Sequence, residues 1–255
     1  MAENAPVLEC FDLSVERRGA SGPVRAVDGV SLALSAGELL SVTGPAGSGK
    51  STLLTALAAS DTRTVSIVGG SATVCGISLR RPGRSRRALG VKVGYVAQGA
   101  GGALPPQSTA SEIIAEPILT RERRVNRRAL ELRVATLLDE LHLPLGVADK
   151  YPYELSAGMR QRVVIARALV LEPPVFIADE LLANLDVQVR QVVTDAIDRR
   201  RAEQEMAALL ASNDTEAARE TDAEMLVLRD GYVVARGHGE ELVWTPDTDP
   251  ARHLA

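Results

Sequence analysis

Cysteine, histidine and aromatic residues are scarce in this chain of 255 residues, and each shortage removes a class of function. The two cysteines, Cys10 and Cys75, lie far apart without a neighbouring cysteine or histidine, which argues against a disulfide framework, a zinc site or an iron–sulfur cluster. They read as two small buried side chains of a reducing compartment. At 3% aromatic content, the arginine clusters Arg80 to Arg87, Arg121 to Arg128 and Arg199 to Arg201 lack interleaved rings. Solvated helix and loop faces are therefore expected there, not a base-stacking platform, and no nucleic-acid partner. A net charge of -4 and a pI of about 5.5 give no steering toward nucleic acid or an anionic membrane surface. The first residues lack a basic start followed by an apolar stretch, so no secretory signal is expected. No run approaches the roughly 18 apolar residues that cross a bilayer, so any membrane role falls to a partner.

What is present suits an ordinary globular chain, with 45% hydrophobic and 24% charged residues. From Val24 to Glu38 the pattern alternates through Val30, Leu32 and Leu34 and ends at Ala36-Gly37, predicting a strand and turn before a second strand, Leu39 to Thr43. After a glycine loop, Ser51 to Ala59 carries Leu53, Leu54 and Leu57 at helical spacing. Strand, loop and helix in that order open a parallel α/β sheet. Further strands are expected at Val65 to Val68, Val91 to Ala97, Val175 to Ala178, Ala208 to Ser212 and Met225 to Leu228, with Asp230-Gly231 turning a hairpin. Between Ala110 and Leu143 the spacing becomes helical, which implies a helical insertion in the sheet.

The loop Gly44, Pro45, Ala46, Gly47, Ser48, Gly49, Lys50, Ser51 and Thr52 fits the phosphate-binding pattern GxxxxGK[ST] in the strand–helix setting that the pattern requires. Its glycines let backbone N–H groups converge on a β-phosphate, and the helix that follows adds its positive end. Lys50 supplies charge toward the β- and γ-phosphates, and the Ser51 hydroxyl suits Mg²⁺. The apolar strand Val175 to Ala178 ends in two acids, Asp179 and Glu180. Asp179 is the expected Mg²⁺ partner, and Glu180 the general base for an attacking water.

A third segment, Tyr151 to Arg162 (YPYELSAGMRQR), leads into a helix and then into that acidic strand. It resembles the signature of ABC transporter ATP-binding subunits, usually LSGGQ or LSGGM. This likeness implies an α/β fold: a RecA-like P-loop ATPase core, an N-terminal antiparallel β-subdomain and an inserted α-helical subdomain. The expected division is core and β-subdomain over 1–98, helical signature subdomain over 99–164, core again over 165–240, and a tail over 241–255. The likeness also implies ATP and Mg²⁺ as ligands and a composite site, where Ser156, Ala157 and Gly158 face the γ-phosphate held by a second subunit. Gln98 matches a glutamine that touches the Mg²⁺ and water region. Asp186 matches a residue that reports across the subunit interface. Ala103-Leu104-Pro105-Pro106 and the signature stretch are similar to the oligopeptide, dipeptide and nickel importer branch.

Several positions depart from that pattern. Asn213, in Ala211-Ser212-Asn213-Asp214, stands where the family has a switch histidine; an asparagine amide is neutral and cannot titrate. Arg17 occupies the place of the aromatic that stacks on adenine, and a guanidinium plane can also stack. Ala157 replaces the first signature glycine, and Leu181-Leu182 replaces the usual proline and threonine. Together these changes suggest the degenerate half of a heterodimer with a second ABC ATPase subunit. The resemblance implies a place on the cytoplasmic face of the cell membrane, with two integral-membrane permease subunits and an extracytoplasmic solute-binding protein. Peptides, or a nickel chelate, would be the solute. The alternative is a soluble ABC ATPase of an enzyme complex such as phosphonate carbon–phosphorus lyase. A DNA-maintenance or ribosome-acting member would need a long coiled coil or tandem cassettes, and the sequence has neither.

Overall fold

Buried aliphatic side chains from two sheets meet over one helix, and this sandwich sets the place of the glycine loop. The computed structural model describes residues 5–19, 22–80, 83–122, 124–183, 185–213, 223–239 and 241–244. The smaller sheet is antiparallel, in the order β2 (Gly22–Leu34), β1 (Leu8–Gly19), β4 (Val65–Val74), β5 (Ile77–Ser78). The larger has the order β11 (Glu241–Trp244), β10 (Tyr232–His238), β9 (Glu224–Arg229), β3 (Leu39–Thr43), β8 (Ala207–Ser212), β7 (Val175–Asp179), β6 (Val93–Val96). Strands β9, β3, β8, β7 and β6 run parallel, and β9, β10 and β11 form an antiparallel edge. Asp230 and Gly231 both have positive φ, 50° and 86°, which suits the tight two-residue hairpin between β9 and β10.

Helix α1 (Lys50–Leu57) lies between the sheets, and its Leu53, Leu54 and Leu57 are fully buried. Each contributes roughly 1.5–3 kcal/mol by leaving water. A second core lies on the other face of the large sheet, under α3 (Ala110–Leu119), α4 (Arg127–Glu140), α5 (Ala157–Leu169) and α6 (Val187–Gln204). The side chains of β7 divide between the two: Val175 and Ile177 join the first core, Phe176 and Ala178 the second. Helix starts follow local chemistry. Thr109 and Glu112 form a capping box on α3, and Asn126, Ser156 and Asp186 cap α4, α5 and α6 through side-chain oxygens.

Differences from the sequence expectations have physical causes. Val91 belongs to α2 (Arg86–Lys92), so the strand begins only at Val93; with Leu89 alone buried, this helix carries no readable period. Strand β1 escapes a period-2 reading because register shifts interrupt its pairing between Cys10 and Leu13 and again on either side of Val15. Glu241–Trp244, expected to start a tail, pair with β10 as an edge strand, and the rest of the tail lies outside the described residues. Arg200, expected on a solvated face, is 6% exposed and forms a bidentate pair with Glu140 at 2.8 and 2.6 Å. Arg121 donates to the carbonyls of Pro117 and Gly90. Cys10 is buried, whereas Cys75 is only half-buried. Among the described residues, no helix is long and apolar enough to cross a membrane, and no cluster of three or more His, Cys, Asp or Glu could hold a metal.

Candidate functional site

Register brings the acidic strand and the glycine loop to one edge of the large sheet. Thr43 pairs with Ser212 and Asp179 with Ala211 on neighbouring parallel strands, so Gly44, Glu180 and Asn213 all follow at the carboxyl ends. Glycine is required at two points of the loop. A Cβ on Gly44, at φ 142°, would stand 2.1 Å from the Leu228 carbonyl oxygen, and one on Gly49, at φ 103°, would stand 2.3 Å from that of Ala26. The loop is thus wedged between β9 and β2, and its open side faces a cleft. Helix α1 starts at Lys50, whose first-turn N–H groups lack intrahelical acceptors and point their positive end at that cleft.

The cleft has a volume of about 470 Å³. Residues 46–52 line it, together with Gln98, Asp179, Glu180 and Asn213 and with Arg17, Gly19, Val24 and Ala26. Gly44 and Pro45 contribute differently: their carbonyls accept from Lys50 Nζ at 2.7 and 3.0 Å. Lys50 Nζ also donates to Ser48 Oγ at 3.4 Å and to Asn213 Oδ1 at 2.8 Å, the latter an oxygen by necessity because an ammonium only donates. The Asn213 backbone N–H in turn donates to Glu180 Oε1 at 2.8 Å. Asn213 therefore joins the lysine and the glutamate directly. Asp214 lies outside the described residues.

Glu180 has a left-handed backbone, φ 53°, which is uncommon for a side chain of its kind. Its N–H donates to the Ala211 carbonyl at 2.9 Å, and its carbonyl accepts from Ala183 N–H at 3.1 Å. Asp179 is 2% exposed and hydrogen-bonds the Ser51 hydroxyl. Burial pushes the Asp179 carboxyl up, opposed by Ser51 and by the charge of Lys50. Burial also lowers Lys50, while Glu180 and Asp179 oppose that shift. A buried carboxylate bonded to a hydroxyl beside a lysine is a donor set that suits Mg²⁺, which takes few protein oxygens and relies on phosphates for others.

The structure does not bring the signature residues to this cleft. Ser156 caps α5, its Oγ accepting from Met159 N–H at 3.2 Å, and Ser156 and Ala157 are exposed while Gly158 is half-buried. Asp186 caps α6 by accepting from Val189 N–H at 2.9 Å. Sequence reasoning missed Gly19, Val24 and Ala26, the wall beside Arg17, because no motif marks a strand edge that meets the loop only after folding. It also missed Gln161, whose Nε2 donates to the Leu181 carbonyl at 3.1 Å.

An ABC transporter family model matches residues 27–183. The chain is 36% identical over 234 residues to a peptidoglycan transport ATP-binding protein of Agrobacterium fabrum, covering 91% of this chain and 42% of that protein. It is 33% identical over 240 residues to an oligopeptide transport ATP-binding protein of Mycobacterium tuberculosis, covering 93% and 38%. To an oligopeptide transport ATP-binding protein of Escherichia coli it is 32% identical over 225 residues, covering 88% and 66%. The chain thus spans less than two thirds of the length of these relatives. In fold it resembles the dimeric post-hydrolysis state of an ATP-binding cassette bound to ADP and Pi, with a TM-score of 0.79 and 24% identity, covering 94% of this chain and 99% of that one. The expected α/β architecture, a P-loop core with an antiparallel β-subdomain and inserted helices, is therefore the one present. With more than half its length matched by the family model and relatives above 30% identity, the chain belongs to the ABC transporter family.

Proposed function

We propose that this chain is the ATP-binding subunit of an importer for peptides or related small solutes, coupling ATP binding and hydrolysis to transport. The observation that carries the reading is the convergence of Lys50, the Ser51–Asp179 pair and Glu180 on one cleft; the transport names of the relatives support the solute class. The loop N–H groups and Lys50 bind the phosphates, and Arg17, which lines the same cleft, supports the adenine. Ser51, Asp179 and Gln98 would hold Mg²⁺, which neutralises phosphate charge when bound. Glu180 orients the attacking water and accepts its proton.

Ser156, Ala157, Gly158 and Asp186 serve the site on a second ABC ATPase subunit, consistent with the exposure of Ser156, Ala157 and Asp186 and with the place of all four outside this chain's cleft. Asn213 cannot share a proton as a histidine does, so this chain's own site turns over slowly and the second subunit carries most hydrolysis. Residues 99–164 act as the helical subdomain. The open groove of about 840 Å³ among α2, α3 and α5, lined by Leu89, Pro117 and Leu171 with Arg87 and Arg121, receives a cytoplasmic helix of a permease subunit. On this reading the chain lies on the cytoplasmic face of the membrane, with a solute-binding protein outside.

The test is purification of the chain from detergent-solubilised cells, with mass-spectrometric identification of what accompanies it. Two permeases and a second ATPase are expected. Soluble enzymes without any integral-membrane protein would overturn the importer reading.

A further inference from the structure

Gln161 sits in the second turn of α5, five residues beyond the Ser156 cap, and is 8% exposed. Its side chain leaves the helix and donates to the carbonyl of Leu181, which directly follows Glu180. Leu181 is itself 4% exposed, so that carbonyl has little recourse to water. A third segment meets the same residue. In the short turn Ala100–Ala103, just after Gln98, a Cβ on Gly101 would stand 3.2 Å from Gln161 N and 3.3 Å from its Oε1, so only glycine leaves this amide undisturbed. Glu180 needs such support because its left-handed backbone is strained and persists only where neighbours hold it.

From this junction we infer that Gln161 is a positioning residue, which ties the signature helix and the turn after Gln98 to the backbone that aims Glu180. The inference rests on the reading of Glu180 as the group that orients water. Movement of α5, the helix that Ser156 caps, would reach Glu180 through one hydrogen bond. A contact at the cap and a carboxylate in the cleft are thereby mechanically joined within one chain.

The test uses the chain assembled with its second ATPase subunit, whose own P-loop lysine is replaced so that phosphate release reports this chain's site, comparing wild type, Gln161→Leu, Gly101→Ala and Glu180→Gln by amide hydrogen exchange, phosphate release and ATP affinity. Gln161→Leu keeps the bulk but removes the donor; Gly101→Ala presses on the same amide while leaving residue 161 intact. Exchange at residues 180–183 is expected to rise about tenfold in Gln161→Leu and about threefold in Gly101→Ala, with exchange in 163–169 unchanged and ATP affinity within about twofold. Phosphate release should fall in step. Unchanged exchange at 180–183 in both variants overturns the inference. A rise spread evenly along α5 overturns it as well, because Gln161 then only stabilises its own helix. If exchange changes as expected but Glu180→Gln releases phosphate like wild type, the positional tie stands and the assignment of Glu180 fails.

Discussion

Four acceptors around one ammonium define how this site responds to substitution. Lys50 donates to Gly44, Pro45, Ser48 and Asn213, so a phosphate must exchange for acceptors already in place. Replacing Asn213 by histidine restores a group that can share a proton, and phosphate release is expected to rise several-fold with ATP affinity within about twofold. Unchanged turnover in the assembled complex would show that Asn213 does not limit the site. Asp179 gives a second prediction, with its sign set by burial. A carboxyl whose pKa is raised by folding supports stability below its ordinary range, and that support is lost as pH rises through the folded value. At neutral pH the ionised group is therefore a burden on the nucleotide-free chain. Asp179→Asn should raise the nucleotide-free Tm and abolish the further rise that Mg-ATP produces, as differential scanning fluorimetry would show. The loop and the acidic pair were legible because each motif is continuous in sequence. The bond from Lys50 to Asn213 spans 163 residues, and only the pairing of β3 with β8 creates it.

Between elements, the buried pair Arg200–Glu140 fastens α6 to α4, with side chains 7% and 10% exposed. Removing one partner leaves the other charge buried, so Arg200→Met is expected to cost about 3–5 kcal/mol, whereas Arg200→Met with Glu140→Leu should recover most of that loss. Urea denaturation of the two single variants and the double variant measures the difference. Additive losses would show the pair to be uncoupled. Nothing in the run Arg199 to Arg201 distinguishes the buried arginine from its neighbours, because the distinction depends on a glutamate 60 residues away. The same limit hid α2, which has too few buried positions to print a helical period, and β1, whose bulged pairing breaks alternation. Helices with a capping side chain and a long apolar stripe, such as α3 and α4, were readable for the opposite reason.

At the scale of the molecule, two apolar cores stand back to back on one sheet. Because β7 and β8 send alternate side chains into both, neither core can open without exposing the back of the strands that support the other. Calorimetry of the nucleotide-free chain is therefore expected to show one transition with matching calorimetric and van't Hoff enthalpies; two resolved peaks would mean the helical layer melts alone. The alternation of strand and helix signals made the α/β class legible, while strand order was not, since β3 is flanked by β8 and β9, which both lie far from it along the chain. Thr43, Ser212 and Asp179 leave the sheet from adjoining strands whose separation, about 4.8 Å each, is set by peptide hydrogen bonds. The distance from phosphate cradle to carboxylate is thus gauged by main chain: wear in either core would lower the protein's tolerance of heat well before it changed that reach.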